Sequence, residues 1–288
     1  MSECEHDCSS CGVDCPSQTK QSMLVAPHRL SKIQKVIGVC SGKGGVGKSM
    51  VTSLLATALR RLGLEVGIMD SDITGPSIPR AFGLSEQALG TDEGFYPVKS
   101  QTGIDIMSLN LLMEHDTDPV AWRGPVIAGA VSQFWSDVIW GTKDVMLIDM
   151  PPGTGDVMLT IYQTIPIDAV VLVSTPQELV GMIVQKGLKL AKMMNIPVLG
   201  IVENMSYVSC PCCEHSFPLF GESHVDEIAK TYGIENLSKL PFDPTLTKLM
   251  DCGEIEQYNH SGLDNMANAI VAIKSKHVPI IPLKNPRT

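Results

Sequence analysis

The chain has 288 residues, of which 44% are hydrophobic, so it is long and apolar enough for one large domain or two small ones. Its 22 Lys and Arg against 31 Asp and Glu give a formal net charge of -9, which argues against a nucleic-acid-binding surface. The N-terminus lacks the pattern of a secretory signal, and no apolar stretch approaches the roughly 20 residues that span a bilayer. We therefore expect a cytoplasmic protein that binds neither membrane nor nucleic acid.

The first 34 residues differ in composition from the rest of the chain. They contain four cysteines followed by a polar run, and they have too few apolar groups to fold alone. In a reducing compartment, clustered cysteines indicate metal or redox chemistry rather than disulfides. Four closely spaced thiolates suit an iron-sulfur cluster or a tetrahedral zinc site. We predict a metal-binding appendage at residues 1–34 and one domain at residues 35–288. The predicted appendage ligands are Cys4, Cys8, Cys11 and Cys15.

A glycine-rich turn follows the first predicted strand, at residues 36–40. The turn fits G-x-x-x-x-G-K-[ST], a phosphate-binding pattern whose backbone N-H groups curl around phosphates. Lys48 would reach the β- and γ-phosphates, and Ser49 would offer its hydroxyl to Mg²⁺. Apolar residues at helical spacing then predict a helix that ends near Gly63. We expect the nucleotide to contact Gly42, Lys43, Gly44, Gly45, Val46, Gly47, Lys48, Ser49 and Met50.

Carboxylates end two further apolar strands. Asp70 closes the strand at residues 66–70 and is followed by Asp72, and Asp149 closes the strand at residues 144–149. The carboxyl ends of parallel strands lie on the ligand side of an open α/β sheet, so we expect all three acids to face the nucleotide. Asp149 fits the Walker B position, which reaches Mg²⁺ through water. For Asp70 and Asp72, a helix N-cap or turn role is the alternative.

The remaining apolar segments alternate between strands and helices. Strands are predicted at residues 104–109, 169–174 and 198–202, and Thr175 is the predicted N-cap of the helix after the second of these. Such alternation favours a doubly wound, mainly parallel sheet without a second folded domain. Arg123 could contact a phosphate or a partner subunit, but it could equally be a surface cation.

A second group of cysteines lies beyond the last of these strands. Cys210 and Cys213 form a C-x-x-C pair. Two thiolates cannot complete a [4Fe-4S] site, which takes four, but a two-fold dimer would place two identical loops against each other. Zinc is the alternative: the pair, with His215 nearby as a solvated side chain, looks like a knuckle that Cys8 and Cys11 would partner in a zinc ribbon.

The string K-G-G-V-G-K-S resembles the deviant Walker A motif of the MinD/ParA/nitrogenase-iron-protein class of ATPases. The resemblance implies that Lys43 crosses a nucleotide-bridged dimer to the partner's phosphates and that Lys48 and Asp72 act in hydrolysis, with Asp72 positioning the attacking water. It also implies that Asn204 pairs with adenine and that Pro241 lies in the segment closing over the base.

Six motifs in order, from K-G-G-V-G-K-S through D-S-D-I-T-G-P-S, W-R-G-P, D-M-P-P-G-T-G-D and N-M-S-Y to C-P-x-C, resemble the Mrp/ApbC/Nbp-type iron-sulfur cluster carrier ATPases. That resemblance implies a MinD/ParA-like P-loop fold and a homodimer that bridges a labile [4Fe-4S] cluster, uses ATP and passes the cluster to apo-proteins. Members with four N-terminal cysteines hold a second cluster there. This chain departs from the pattern in its compact N-terminal spacing and in the additional thiol of Cys212.

Two other functions compete with the carrier. A MinD-type positioning ATPase shares the P-loop and switches, but its membrane forms end in a basic amphipathic helix, whereas three prolines interrupt residues 277–286 here. A simple metabolic kinase leaves both cysteine groups without a role.

Overall fold

The computed structural model describes residues 23–73, 77–113, 124–210, 212–213 and 215–274. The strands are β1 (Lys32–Ser41), β2 (Val66–Asp70), β3 (Leu89–Thr91), β4 (Gly94–Tyr96), β5 (Val98–Lys99), β6 (Asp105–Met107), β7 (Thr142–Asp149), β8 (Ala169–Ser174), β9 (Val198–Ser209), β10 (Ser216–Phe217) and β11 (Asn236–Pro241). The helices are α1 (Lys48–Arg61), α2 (Ser77–Ala81), α3 (Gly124–Ser136), α4 (Asp156–Thr164), α5 (Glu178–Met193), α6 (Val225–Tyr232), α7 (Pro244–Cys252) and α8 (Asp264–Ala272). Short 3-10 helices occupy Leu109–Leu112, Ile255–Gln257 and Ser261–Leu263.

Nine of these strands form one sheet in the order β10-β9-β8-β1-β7-β2-β6-β5, with β11 also paired to β9. The pairings among β11, β9, β8, β1, β7, β2 and β6 are parallel, and β5 and β10 are antiparallel additions. β3 and β4 make a separate hairpin. The prediction of a doubly wound, mainly parallel sheet is confirmed.

Helices cover both faces of this sheet, and each face has its own apolar core. Alternate residues of β1 point to opposite sides, so that Ile37 packs in one cluster and Val36 in the other. The first cluster includes Leu55 of α1, and the second includes Trp135 of α3 and Ile161 of α4. Burial on both faces explains why the strands are continuously apolar rather than alternating.

Several predicted boundaries differ from the structure, most clearly at the end of β9 and at the start of α5. β9 continues to Ser209, well past the predicted end at residue 202, because β11 and β10 pair with its second half. The N-cap predicted at Thr175 is wrong, since α5 begins at Glu178 after an extended Gln177 with φ -62° and ψ 138°. Thr175 instead stays buried at the end of β8, where its carbonyl accepts a hydrogen bond from the Ser174 hydroxyl.

The segment before β1 is hydrogen-bonded to α3 and α4 through Val25. The backbone N-H of Val25 donates to the carbonyl of Thr164 at 2.8 Å, and the indole of Trp135 donates to the carbonyl of Val25 at 2.9 Å. β1 then begins at Lys32. The four N-terminal cysteines and Arg123 lie outside the described residues. None of the helices in the described ranges has the length and apolar character needed to cross a membrane.

Candidate functional site

The glycine-rich turn lies at the carboxyl edge of the sheet, between β1 and α1. Gly45 and Gly47 have φ values of +80° and +82°, in the left-handed region that glycine adopts without strain. Gly47 is also the N-cap of α1, and a Cβ at this position would lie 2.3 Å from Nδ2 of Asn204. Glycine is therefore required at position 47 both by the backbone conformation and by the packing. The turn forms a cradle at a helix N-terminus, which suits an anion.

Behind the turn, the Lys48 ammonium group is buried against two carboxylates. Its Nζ lies 2.7 Å from Oδ2 of Asp149 and 3.4 Å from Oδ2 of Asp72. The Ser49 hydroxyl donates to Oδ2 of Asp149 at 2.6 Å, and the Thr52 hydroxyl donates to Oδ1 at 2.8 Å. The fold thus brings together the predicted Lys48, Ser49, Asp72 and Asp149.

Sequence reasoning missed Thr52. It follows Lys48 by one helical turn, so it lies on the same face of α1 and reaches the same carboxylate. That spacing is the signal that could have identified it. Its hydroxyl also donates to the Lys48 carbonyl at 3.0 Å.

Burial and charge shift the pKa values of this cluster. Burial alone would lower the pKa of Lys48, but the adjacent Asp149 and Asp72 outweigh it and raise that pKa above its usual value. Burial, followed by the proximity of Asp149, raises the pKa of Asp70 well above that of an exposed carboxyl group. Asp70 accepts a hydrogen bond from the Ser108 hydroxyl at 2.9 Å and one from the Asp72 N-H at 3.1 Å.

This set of residues fits a magnesium-nucleotide complex. Among the described residues, the Lys48 ammonium group forms ion pairs with Asp72 and Asp149, and the buried Asp70 lies close to it. The oxygens of Ser49 and Asp149 are the hard ligands that Mg²⁺ prefers. Held there, that ion would supply positive charge that offsets the negative charge of the phosphates.

β9 reaches the same edge of the sheet and touches the glycine-rich turn through Asn204. The Asn204 side chain is 1% exposed, and its Nδ2 donates to the carbonyl of Val46 at 2.9 Å. Its Oδ1 accepts from the N-H of Met205 at 2.9 Å. In this structure Asn204 thus holds the backbone of the turn, a contact that the sequence did not predict. Its pairing with adenine stays a prediction.

A bulge interrupts β9 at this point. Glu203 pairs with Lys239 of β11, and Tyr207 pairs with Pro241. Between these two pairs β9 advances by four residues and β11 by only two. Met205 lies within the bulge at φ +55°, an uncommon conformation for a residue with a side chain. Pro241 ends β11 beside this bulge, and its proposed closure over the base also stays a prediction.

The other residues predicted to contact the nucleotide differ in how deeply they are buried. The Lys43 side chain is exposed, and the Ser41 hydroxyl donates to its carbonyl at 3.0 Å. Gly42 and Gly44 lie in the turn, and a Cβ at Gly44 would meet open space. Met50 is partly buried and packs against the core beneath α1.

The second cysteine group forms a loop at the tip of the β9-β10 hairpin. We call residues 210–215 the cysteine loop. The N-H of Cys210 donates to the carbonyl of His215 at 2.9 Å, and the N-H of His215 donates to the carbonyl of Cys213 at 2.6 Å. The backbone N-H groups of Cys212 and Cys213 donate to the Cys210 sulfur and lower the pKa of its thiol. Such a turn stabilises a thiolate, the form that binds metal.

One loop provides only part of a metal site. Cys212 and Cys213 are exposed and Cys210 is half-buried, so the thiols face outward. Within the described ranges, no three side chains of His, Cys, Asp or Glu converge as metal ligands. The loop begins at Cys210, six positions after Asn204 and one position after the end of β9.

The sequence is similar to those of known iron-sulfur cluster carrier proteins. The sequence profile described as NUBPL iron-transfer P-loop NTPase, of the ParA class, matches residues 32–276. The iron-sulfur cluster carrier protein of Clostridium perfringens is 47% identical over 234 residues, which cover 78% of this chain and 82% of the relative. The carrier protein of Methanocaldococcus jannaschii is 44% identical over 260 residues, covering 88% and 90%.

Solved structures show the same relationship. A nucleotide-binding protein from Archaeoglobus fulgidus in complex with ADP has a TM-score of 0.73 at 44% identity, covering 81% of this chain and 91% of that one. The septum site-determining protein MinD from Pyrococcus horikoshii, complexed with Mg-ADP, has a TM-score of 0.56 at 19% identity, covering 85% and 100%. The second likeness concerns the fold alone. With a family profile matched along most of its length, the chain belongs to the iron-transfer P-loop NTPases of the ParA class.

Proposed function

We propose that this protein is a cytoplasmic iron-sulfur cluster carrier that binds a [4Fe-4S] cluster and passes it to apo iron-sulfur proteins. ATP binding and hydrolysis gate the cycle of loading and transfer. The observation that carries the proposal is that one strand, β9, contacts the phosphate-binding turn through Asn204 and ends in the thiols of the cysteine loop. The names of the related carrier proteins support the cargo.

The cluster is proposed to bridge two copies of the chain. A [4Fe-4S] cluster takes four thiolates, and one cysteine loop offers Cys210 and Cys213. A two-fold axis would place two such loops opposite each other and complete the set. The exposed Lys43 is free to reach across the same interface toward the partner's phosphates, and the buried Lys48 and Asp72 would act within their own subunit.

Cys4, Cys8, Cys11 and Cys15 are proposed to hold a second cluster in the N-terminal segment. Because they follow each other within a dozen residues, one chain can supply all four ligands without a partner. This cluster would therefore stay with the monomer if the dimer were separated.

Metal analysis of anaerobically purified protein tests the cargo. We expect about four iron and four sulfide per dimer from the bridging site, and about twelve of each if both N-terminal segments are loaded. Cys210→Ser combined with Cys213→Ser should remove about four iron per dimer while ADP binding persists. Cys252→Ser is the matched control, because this exposed cysteine ends α7 outside the cysteine loop.

Transfer is tested with an apo enzyme that needs a [4Fe-4S] cluster, in the presence of a chelator that captures free iron. The loaded carrier should restore activity, and Mg-ATP should change the transfer rate relative to Mg-ADP. Stoichiometric zinc without sulfide would contradict the proposal. It would favour a MinD-like positioning switch, because the N-H groups around Cys210 suit thiolate-bound zinc as well as iron.

A further inference from the structure

Glu203 is a buried carboxyl group that the nucleotide site does not use. It is 1% exposed and lies in β9 directly before Asn204. Its Oε2 accepts a hydrogen bond from the Ser206 hydroxyl and its Oε1 one from the Ser223 hydroxyl, each at 2.6 Å. Burying a carboxyl group is unfavourable unless such donors satisfy it, so these two contacts hold the side chain in one place.

The two serines belong to different parts of the chain. Ser206 is in β9, on the way to Cys210, whereas Ser223 lies in the segment that returns from the cysteine loop. The Ser223 hydroxyl also accepts the N-H of Val225 at 3.3 Å, at the start of α6. Glu203 therefore connects both limbs of the loop to the strand residue that precedes Asn204.

Residues 204–206 of β9 lie in a gap in the sheet pairing, before β9 pairs again with β11 at Tyr207 and with β10 at Val208 and Ser209. Pairing of β9 with β8 ends at Glu203, and no pairing with β11 occurs between Glu203 and Tyr207. Met205, inside that gap, has φ +55°. Because residues 204–206 have no ladder partner in the described part of the chain, their orientation depends on side-chain contacts. Glu203 also borders a small cleft lined by Thr175 and His224.

We infer that Glu203 is a positioning residue that couples nucleotide binding at the glycine-rich turn to the placement of the thiols in the cysteine loop. The inference rests on the proposed function for its use in cluster transfer. Asn204 holds the Val46 carbonyl, so a displacement of the turn moves Asn204 and its neighbour Glu203. Glu203 passes this movement to both limbs of the loop through Ser206 and Ser223.

Alkylation of the cluster-free, full-length chain tests this coupling. Iodoacetamide labelling of the peptide containing Cys210, Cys212 and Cys213 is followed by mass spectrometry with Mg-ADP and with a non-hydrolysable Mg-ATP analogue. We expect the two labelling rates to differ by about fivefold or more in the wild type, a range typical of coupled sites. In Glu203→Gln the ratio of the two labelling rates should fall to less than about twofold. The glutamine NH₂ group donates, so one of the two serine hydroxyls can no longer donate to this side chain.

Matched variants separate coupling from folding. Ser223→Ala should lose the nucleotide dependence and Ser223→Thr, which keeps a hydroxyl, should retain it. Glu222→Gln makes the same chemical change as Glu203→Gln at an exposed neighbouring position and should behave as wild type. Melting temperature and ADP affinity are measured for each variant. If Glu203→Gln loses ADP binding, the comparison of Ser223→Ala with Ser223→Thr tests the coupling instead.

Two results would overturn the inference. One is a wild-type labelling rate that does not depend on the nucleotide. The other is that correctly folded Glu203→Gln and Ser223→Ala show the same ratio of labelling rates between the two nucleotides as the wild type. Because labelling needs no iron, the coupling can fail while the metal analysis supports a carrier, and it can hold while the metal analysis rejects one.

Discussion

Replacement of Lys48 by alanine should destabilise the nucleotide-free protein as well as abolish ATP hydrolysis. Nζ of Lys48 lies 2.7 Å from Asp149 and 3.4 Å from Asp72, and the three side chains are 5%, 0% and 14% exposed. At an effective dielectric constant of about 20, these attractions amount to about 6 and about 5 kcal/mol before desolvation is subtracted. Removing one partner of a buried pair costs about 3–5 kcal/mol, and we expect a loss of unfolding free energy in that range.

Urea denaturation without nucleotide measures this loss. Lys43→Ala is the matched control, since it removes the same side chain from the same turn at an exposed position, and its unfolding free energy should stay within about 0.5 kcal/mol of wild type. Adding Asp149→Asn to Lys48→Ala should recover part of the loss, because the buried carboxylate is then neutral. Equal stability of Lys48→Ala and Lys43→Ala would refute the electrostatic reasoning.

Three further changes test the rest of the site. Asp72→Ala should slow phosphate release at least about a hundredfold with ADP binding retained, and normal turnover would remove Asp72 from catalysis. Gly47→Ala should lower the melting temperature and ADP affinity, because its Cβ would lie 2.3 Å from Asn204 at φ +82°, whereas Gly44→Ala, in open space, should leave the melting temperature unchanged. Burial, then a neighbouring carboxylate, raises the pKa of Asp70 above 3.8, so wild type should lose stability relative to Asp70→Asn as pH rises from about 4 toward that raised pKa. If the difference in melting temperature between wild type and Asp70→Asn stayed constant across this pH range, the prediction for Asp70 would be wrong.

Local sequence signals predicted the sheet and the central cluster. The glycine spacing at residues 42–49 specifies a turn that only positive φ values allow, and the structure has them at Gly45 and Gly47. Continuous apolar runs predicted the parallel strands, and the rule that their carboxyl ends meet at one edge placed Asp149 beside Lys48.

Contacts made between distant segments could not be predicted in this way. Asn204 meets Val46, 158 positions away, where β9 reaches the glycine-rich turn and a bulge interrupts its pairing with β11. No spacing rule predicts that bulge, since the apolar run of β9 ends at Val202 and the polar residues that follow give no signal that the strand continues. The pairing of Glu203 with Ser223 depends on the path of the hairpin between them. These tertiary contacts connect the two predicted sites, which the sequence presented only as separate motifs.

The same geometry predicts how nucleotide binding depends on magnesium. Without nucleotide, the Lys48 ammonium group neutralises Asp149, and Ser49 donates to the same carboxylate. A phosphate bound in the turn attracts Lys48 away from this pair and leaves a fully buried carboxylate without its cation. A divalent cation held by Ser49 and Asp149 would restore the charge balance, so ADP affinity should rise at least about tenfold from EDTA to saturating Mg²⁺. In Asp149→Asn, where no carboxylate needs neutralising, calorimetric titration should show a much smaller rise. If the rise were the same in both proteins, the exchange of Lys48 for magnesium at Asp149 would be wrong.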